Sequence, residues 1–139
     1  MDFNEQMIAA FRANGGDVQE PAAFGRSLIL VHVPRKDGSI LVRPLRNMPA
    51  GDDAWMVAGS AGGSPKDPAW VHSLRRTDRV DIEVPADPEP VLVPVHVEEL
   101  LDDERDRAWQ VFVDAEPGFG EYERKAEGRV IPVFRLTRV

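Results

Sequence analysis

Residues 27–45 read SLILVHVPRKDGSILVRPL, and the parsing of this stretch decides the fold. Two runs rich in β-branched and large apolar residues, 27–33 and 39–45, flank the segment PRKDG. Asp37-Gly38 is a strong signal for a tight turn between antiparallel strands, because glycine accepts the positive φ that such turns demand. The stretch is read as a β-hairpin with Arg35 and Lys36 at its corner.

The neighbouring segments extend the same pattern. AWMVAGS (54–60) follows the turn MPAGDD and reads as a third strand. RVDIEV (79–84) and PVLVPVHV (90–97) flank the proline-rich turn PADPEP and give two more. Pro94 lacks a backbone N–H, which marks the latter as an edge or bulged strand. RVIPVFRLTRV (129–139) reads as a closing strand.

Helices are read at the ends and between strands. Asp2 with Glu5 has capping-box spacing, and Asn14-Gly15-Gly16 is a stop signal, which gives a first helix at about 3–14. Phe3, Met7, Ile8 and Phe11 form its apolar stripe. Pro68 opens PAWVHSLRRT, DDERDRAWQVFVDA (102–115) carries its acids at the N-terminus, and PGFGEYERKAEG is a short helical or irregular piece. Six strands, mostly joined by short turns, with three or four peripheral helices, predict a mainly β fold with an antiparallel barrel or sandwich in one domain spanning 1–139.

Composition narrows the function classes. The 139 residues are 42% apolar and 29% charged, an ordinary globular mixture. With no cysteine there are no disulfides or thiolate metal sites, and with no apolar h-region at the start a cytoplasmic location is expected. The net charge of −7 opposes non-specific nucleic-acid binding. That charge is polarised: residues 26–46 hold five bases and one acid, whereas 81–106 hold ten acids and one base. Such a chain can hold a small anion in one place and repel polyanions elsewhere. A peripheral inner-membrane contact through the first helix is the less favoured reading, because its polar face has little positive charge.

No hydrolytic apparatus is visible. His32, His72 and His96 are far apart and match no metal-ligand spacing, and there is no nucleophile elbow or Walker loop. Chemistry is therefore expected from a bound cofactor. Two stretches suit one. At the hairpin corner Arg35 and Lys36 either decorate the surface or meet a ligand. The bend GSAGGSPKDPAW (59–70) is either a plain strand-to-helix turn or a place where the Gly62 and Gly63 amides approach an anion, with Trp70 as an aromatic wall.

Together FRANGG, RKDGSILVRPL, SAGGSPKDPAWVHSL and EPGFGEYERKAEGRVIPVFRL resemble the deazaflavin-dependent nitroreductase family, a branch of the flavin-binding split barrels. The resemblance implies a six-stranded split β-barrel, commonly a homodimer, that binds reduced coenzyme F-420, an 8-hydroxy-5-deazaflavin with a phosphodiester and a γ-glutamyl tail. It implies hydride transfer to an unsaturated, quinone or nitro-bearing acceptor of hydrophobic or aromatic character. Arg35 and Lys36 would meet the phosphate and tail, with Arg43 in part replacing a family arginine that is Leu41 here. Pro44, Ser60, Ala61, Gly62 and Gly63 would line the ring and phosphate, joined by Ala69, Trp70 and Ser73. Glu116, Phe119 and Tyr122 would form the acceptor side, with Ser60 or Tyr122 orienting the acceptor or relaying a proton. Ala61 and Ser73 stand where the family favours lysine and asparagine. The alternatives are an FMN-binding oxidoreductase on the same barrel, or a deazaflavin carrier without turnover.

Overall fold

Leu28–Pro34 (β1) and Ile40–Pro49 (β2) pair antiparallel around the predicted corner, with Leu28 opposite Arg46 and Pro34 opposite Ile40. The protein is described by a computed structural model that covers residues 1–60 and 63–139. Ala54–Ala58 (β3), Arg79–Val84 (β4), Val91–Leu100 (β5) and Val133–Arg138 (β6) complete a closed antiparallel barrel in the order β1-β2-β3-β6-β5-β4. The β1–β4 seam is short, with only Leu30 opposite Glu83 and Val31 opposite Ile82.

Alternate residues point to opposite faces of a strand, and here one set fills the barrel. Ile29, Val31, Val33, Val57, Val80, Ile82, Val93, Val95, Phe134 and Leu136 are buried together inside it. The short helix Ala69–Arg75 (α2) joins this core through Trp70, Val71 and Leu74, and the Trp70 ring lies 6.1 Å from that of Phe134.

The other faces carry the remaining helices. Phe3–Ala13 (α1) packs Met7 and Phe11 against Leu28 and Leu30. Its start is capped as the spacing predicts, the Glu5 amide donating to Asp2 Oδ1 at 2.8 Å. Phe3 departs from the expected stripe: it is half exposed and outside the cluster. Asp102–Ala115 (α3) and Gly118–Lys125 (α4) bury Trp109, Phe112 and Phe119 against Met48, Met56 and Val133.

The reading of Pro94 as an edge or bulge is corrected. β5 lies between β4 and β6, and Pro94 sits in register opposite Asp81. In an antiparallel strand the N–H and C=O of one residue face the same neighbour. The Pro94 carbonyl accepts from the Val139 amide at 3.0 Å, so its hydrogen-free nitrogen faces that side and the ladder to β4 is uninterrupted.

One ion-pair cluster ties α1 to the barrel. Arg12 donates to both Glu83 oxygens, at 3.0 and 2.7 Å, and His32 Nε2 lies 2.8 Å from Glu83 Oε2. Burial pushes the Glu83 carboxyl up, but the hydrogen bonds from Arg12 and His32 outweigh it and hold the group below its ordinary 4.5. A depressed carboxyl stabilises the fold above its unfolded value and loses that contribution as pH falls through the folded one. Arg12 is half exposed, so the pair is worth about 1 kcal/mol. Glu83→Gln should lower the melting temperature at neutral pH, and the gap to wild type should close as the pH falls below the ordinary 4.5 and through the lowered value of the folded group. Thermal melts at several pH values check this, and a gap independent of pH would contradict it.

Candidate functional site

The β1–β2 corner is held by its own hydrogen bonds. The Arg35 amide donates to the Ser39 carbonyl at 2.8 Å, the Gly38 amide to the Arg35 carbonyl at 3.1 Å, and Gly38 takes φ +89°. Asp37 is engaged within the turn, accepting from the Ser39 hydroxyl at 2.6 Å and the Ser39 amide at 2.9 Å. The Ser39 hydroxyl, then its amide, hold the Asp37 carboxyl below its ordinary range. Among the described residues, neither Arg35 nor Lys36 forms an ion pair.

Across from this corner stands α2. Between them lies a cleft of about 450 Å³ with Val33, Leu41, Ala69 and Trp70 as apolar lining and Arg35, Lys36 and Arg76 as cations; His72 and Ser73 complete it. Among the described residues no carboxylate lines the cleft, although the chain carries 24 acidic residues against 17 lysines and arginines. An acid-free cationic rim around apolar walls suits a flat molecule with an anionic extension. Trp70 is only 5% exposed and belongs chiefly to the barrel core, so it offers the cleft an edge and not a free face.

Register decides which hairpin residues can contribute. Val33 lies opposite Leu41 and Val31 opposite Arg43, and paired residues share a face. Arg43 is therefore on the cleft-and-interior side with Leu41, and its buried Nε has no hydrogen-bond partner among the described residues. Pro44, opposite Leu30, falls on the α1 side of the sheet. The expected proximity of Pro44 to a ring in this cleft finds no support in that placement.

The bend after β3 has a different organiser from the one expected. Arg129 reaches it from the far end of α4. Its Nε donates to the Ser64 carbonyl at 2.9 Å, Nη1 to the Gly59 carbonyl at 3.0 Å and to Asp67 Oδ1 at 2.5 Å, and Nη2 to the Ser60 carbonyl at 3.0 Å. One guanidinium thus satisfies three backbone carbonyls and one carboxylate, with the Arg129 and Asp67 side chains 11% and 19% exposed. Asp67 also meets Arg75 at 3.5 Å, which links the bend to α2.

Gly63 serves this packing directly. Its φ is +86°, and a Cβ there would lie 2.7 Å from Lys125 Cβ and 3.0 Å from the Tyr122 carbonyl. Its amide donates to the Ser60 carbonyl at 2.8 Å, so it is spent within the turn and is not free for an anion. Ala61 and Gly62, also expected near the ring and phosphate, lie outside the described residues. Gly63→Ala should cost about 2 kcal/mol, from the positive φ and the displacement of α4. Chemical denaturation checks this, and an unchanged midpoint would contradict it.

The expected acceptor residues sit on α4 and before it. Phe119 is buried among Trp109 and Phe112, and Tyr122 packs edge-on to it at 5.6 Å. Glu116 pairs with Arg46. None of the three lines the cleft, but Tyr122 backs the Gly63 turn. Arg35, Lys36, Ala69, Trp70 and Ser73 are thus gathered at one cleft, while Glu116, Phe119 and Tyr122 form a separate group. Two residues not foreseen, His72 and Arg76, join the first. Ala69, Ser73 and Arg76 stand at i, i+4 and i+7, a spacing that already places them on one helical face. Arg129 left no such signal.

A closed six-stranded antiparallel barrel with this cleft at its hairpin end is a split-barrel fold. The family description "F420H(2)-dependent quinone reductase" matches residues 4–138. The F420H(2)-dependent quinone reductase Rv1261c of Mycobacterium tuberculosis is 29% identical over 86 residues, which is 62% of this chain and 56% of that protein. The matched region thus spans little more than half the length of that relative. A solved F420-H2 dependent reductase, FDR-A, superposes with TM-score 0.67 at 28% identity, over 80% of this chain and 94% of that one. A solved domain-swapped dimer superposes with TM-score 0.68 at 24% identity, over 95% of this chain and 94% of its own, and shares the fold. The chain belongs to the F420H(2)-dependent quinone reductase family.

Proposed function

We propose that this protein is an oxidoreductase that holds reduced coenzyme F-420 between the hairpin corner and α2 and reduces a quinone or a similar unsaturated or nitro-bearing acceptor. One observation carries the reading: a cleft with apolar walls and three cations and, among the described residues, no carboxylate, in a chain of net charge −7. Membership of the family supports it.

Arg35 and Lys36 are assigned to the anionic part of the coenzyme, and Val33, Leu41, Ala69 and Trp70 to its apolar part. Arg43 stands one alternation further along the same strand face, with its buried Nε unpartnered. When bound, the reduced deazaflavin supplies the hydride. The chain's own part is to hold the two reactants in contact, which lowers a barrier by several kcal/mol through orientation alone. Ser60 lies in the bend and the Tyr122 backbone packs against Gly63; their hydroxyls are assigned to orienting the acceptor, with Phe119 and Glu116 as further acceptor-side residues. Reduction of a quinone to a hydroquinone takes the hydride and one proton, and solvent or either hydroxyl can deliver the proton. A homodimer belongs to the same reading, since a solved chain of this fold is a domain-swapped dimer. Among the described residues no helix is long and apolar enough to cross a membrane.

Turnover tests the reading. Protein mixed with reduced coenzyme and a short-chain naphthoquinone should restore the oxidised deazaflavin absorbance faster than the protein-free control. Binding without acceleration, across both quinones and nitro compounds, would favour a carrier and contradict the enzymatic proposal.

A further inference from the structure

The chain carries its bases early and its acids late, and the coenzyme cleft makes use of the bases alone. Residues 1–49 hold six lysines and arginines against five acids, whereas residues 53–139 hold 11 against 18. The fold sets these two parts, an arm and a body, against each other. We propose that the arm, which comprises α1 and the β1–β2 hairpin, exchanges between two copies of the chain about a hinge at 50–52. Each cleft of the dimer then takes Arg35 and Lys36 from one chain and α2 from its partner. The exchange gives the homodimer of the reading above a definite form, and what the shared cleft binds rests on that reading.

Arm and body meet at the two shortest ladders of the barrel. β1 meets β4 through Leu30–Glu83 and Val31–Ile82, and β2 meets β3 through Asn47–Val57, Met48–Met56 and Pro49–Trp55. Within the arm the ladder runs from Leu28–Arg46 to Pro34–Ile40, and within the body β3, β6, β5 and β4 are joined by longer ladders too. Among the described residues, every ion pair across the boundary sets a basic side chain of the arm against a carboxylate of the body. Arg12 and His32 meet Glu83, Arg26 meets Asp87 and Arg46 meets Glu116. Inside this charged rim, Ile29, Val31 and Val33 of the arm are buried with Val57, Ile82, Val95 and Trp70 of the body. An apolar centre with a complementary polar rim is the anatomy of an interface between chains. An arm that leaves its own body exposes that centre and is driven onto another.

The hinge is short and lightly tied. The Ala50 amide donates to the Ala54 carbonyl at 3.1 Å, and Gly51 and Asp52 are exposed. Asp53 already belongs to the body, its carbonyl bonded to the Arg138 amide at 2.8 Å and its carboxylate to Arg138 Nε at 2.9 Å. A short connection between two well-formed units favours exchange. Straightening it lets β2 run on into β3, while every arm–body contact is remade with the partner.

The chain has no cysteine, so a designed pair reports the exchange without background. Val31→Cys with Ile82→Cys places two thiols at opposed positions of β1 and β4, within reach of a disulfide. After oxidation, denaturing electrophoresis without reductant should show two chains linked. A bridge confined to one chain would overturn the proposal. In the otherwise unaltered protein, inserting Gly-Ser-Gly-Ser after Gly51 should turn the dimer into a monomer in sedimentation, because a longer hinge lets the arm fold back on its own body. A monomeric wild type, or a dimer that the insertion leaves intact, would also overturn it. The cleft gives a third readout. An Arg35→Ala, Lys36→Ala chain and an Ala69→Asp chain should each lose coenzyme binding. Refolded together they should regain about a quarter of the wild-type sites, since random pairing makes about half of the dimers mixed and each mixed dimer has one unaltered cleft. No regained site, with wild type binding normally, would contradict the exchange. Linked chains without any coenzyme binding leave the exchange standing and overturn the deazaflavin reading; coenzyme binding by a protein that bridges only within one chain does the reverse.

Discussion

Arg129→Ala is expected to destabilise the protein by about 2–4 kcal/mol, because it takes the nearer cation from a largely buried carboxylate and the guanidinium donor from three carbonyls. The carboxylate keeps Arg75 at 3.5 Å, and the Ser60 carbonyl keeps the Gly63 amide. The carboxylate is Asp67, and the carbonyls belong to Gly59, Ser60 and Ser64. The chain between them is the bend that leads into α2, so the loss should extend to the cleft wall that α2 provides. Arg129→Lys should restore the charge opposite Asp67 but not the forked contacts, and should fall between the two. Denaturant unfolding measures the effect, and coenzyme affinity measured well below the melting point should fall in the same order. A variant as stable as wild type would mean that the bend is held by its own turn and not by Arg129.

The second large effect concerns ligand binding and leaves the fold alone. Arg35 and Lys36 are exposed at the hairpin corner, with no ion pair among the described residues, so their removal disturbs no packing. Arg35→Ala combined with Lys36→Ala should weaken coenzyme F-420 binding by about 100-fold at low salt, corresponding to about 1–1.5 kcal/mol for each charge-assisted contact after solvent screening. The salt dependence of binding should flatten in parallel, because charge attraction between partly exposed groups is screened over a Debye length of about 10 Å at 0.1 M. The melting temperature should stay within about a degree of wild type, since surface substitutions of unpaired cations change stability little. An unchanged affinity would return both residues to surface decoration.

Much of the fold is written in local signals. Asp37-Gly38 and the two apolar runs dictate the hairpin, Asp2 and Glu5 the start of α1, and the alternation of RVDIEV the two faces of β4, with Val80 and Ile82 inside. Each depends on residues within a few positions of one another. Pro94 misled because a missing N–H is costly only if it points at a partner strand, and the direction is set by register with β4 and β6.

The candidate site was legible in part for the same reason. Arg35 and Lys36 stand on a turn that the sequence identifies, and Ala69, Trp70 and Ser73 on a helix that it also identifies. Arg76 was open to the same helical spacing argument. What local pattern could not supply is how separate segments meet. Arg129 lies 62 residues from Asp67, and only the tertiary structure brings them together. Gly63 illustrates the limit from the other side: glycine signals a bend, yet the Lys125 and Tyr122 atoms that exclude a side chain belong to α4. Pro44, which the resemblance sets near the ring, lies on the α1 side of the sheet by register, and Phe119, which it sets on the acceptor side, is buried in the α3–α4 core.

The central claim is that the cleft between the hairpin corner and α2 recognises a deazaflavin with an anionic extension. Parallel titrations of the purified protein with coenzyme F-420 and with FMN, followed by fluorescence polarisation, test it most directly. The account predicts saturable binding of coenzyme F-420, competed by salt and well ahead of FMN. Saturable binding of FMN with none of coenzyme F-420 would contradict it.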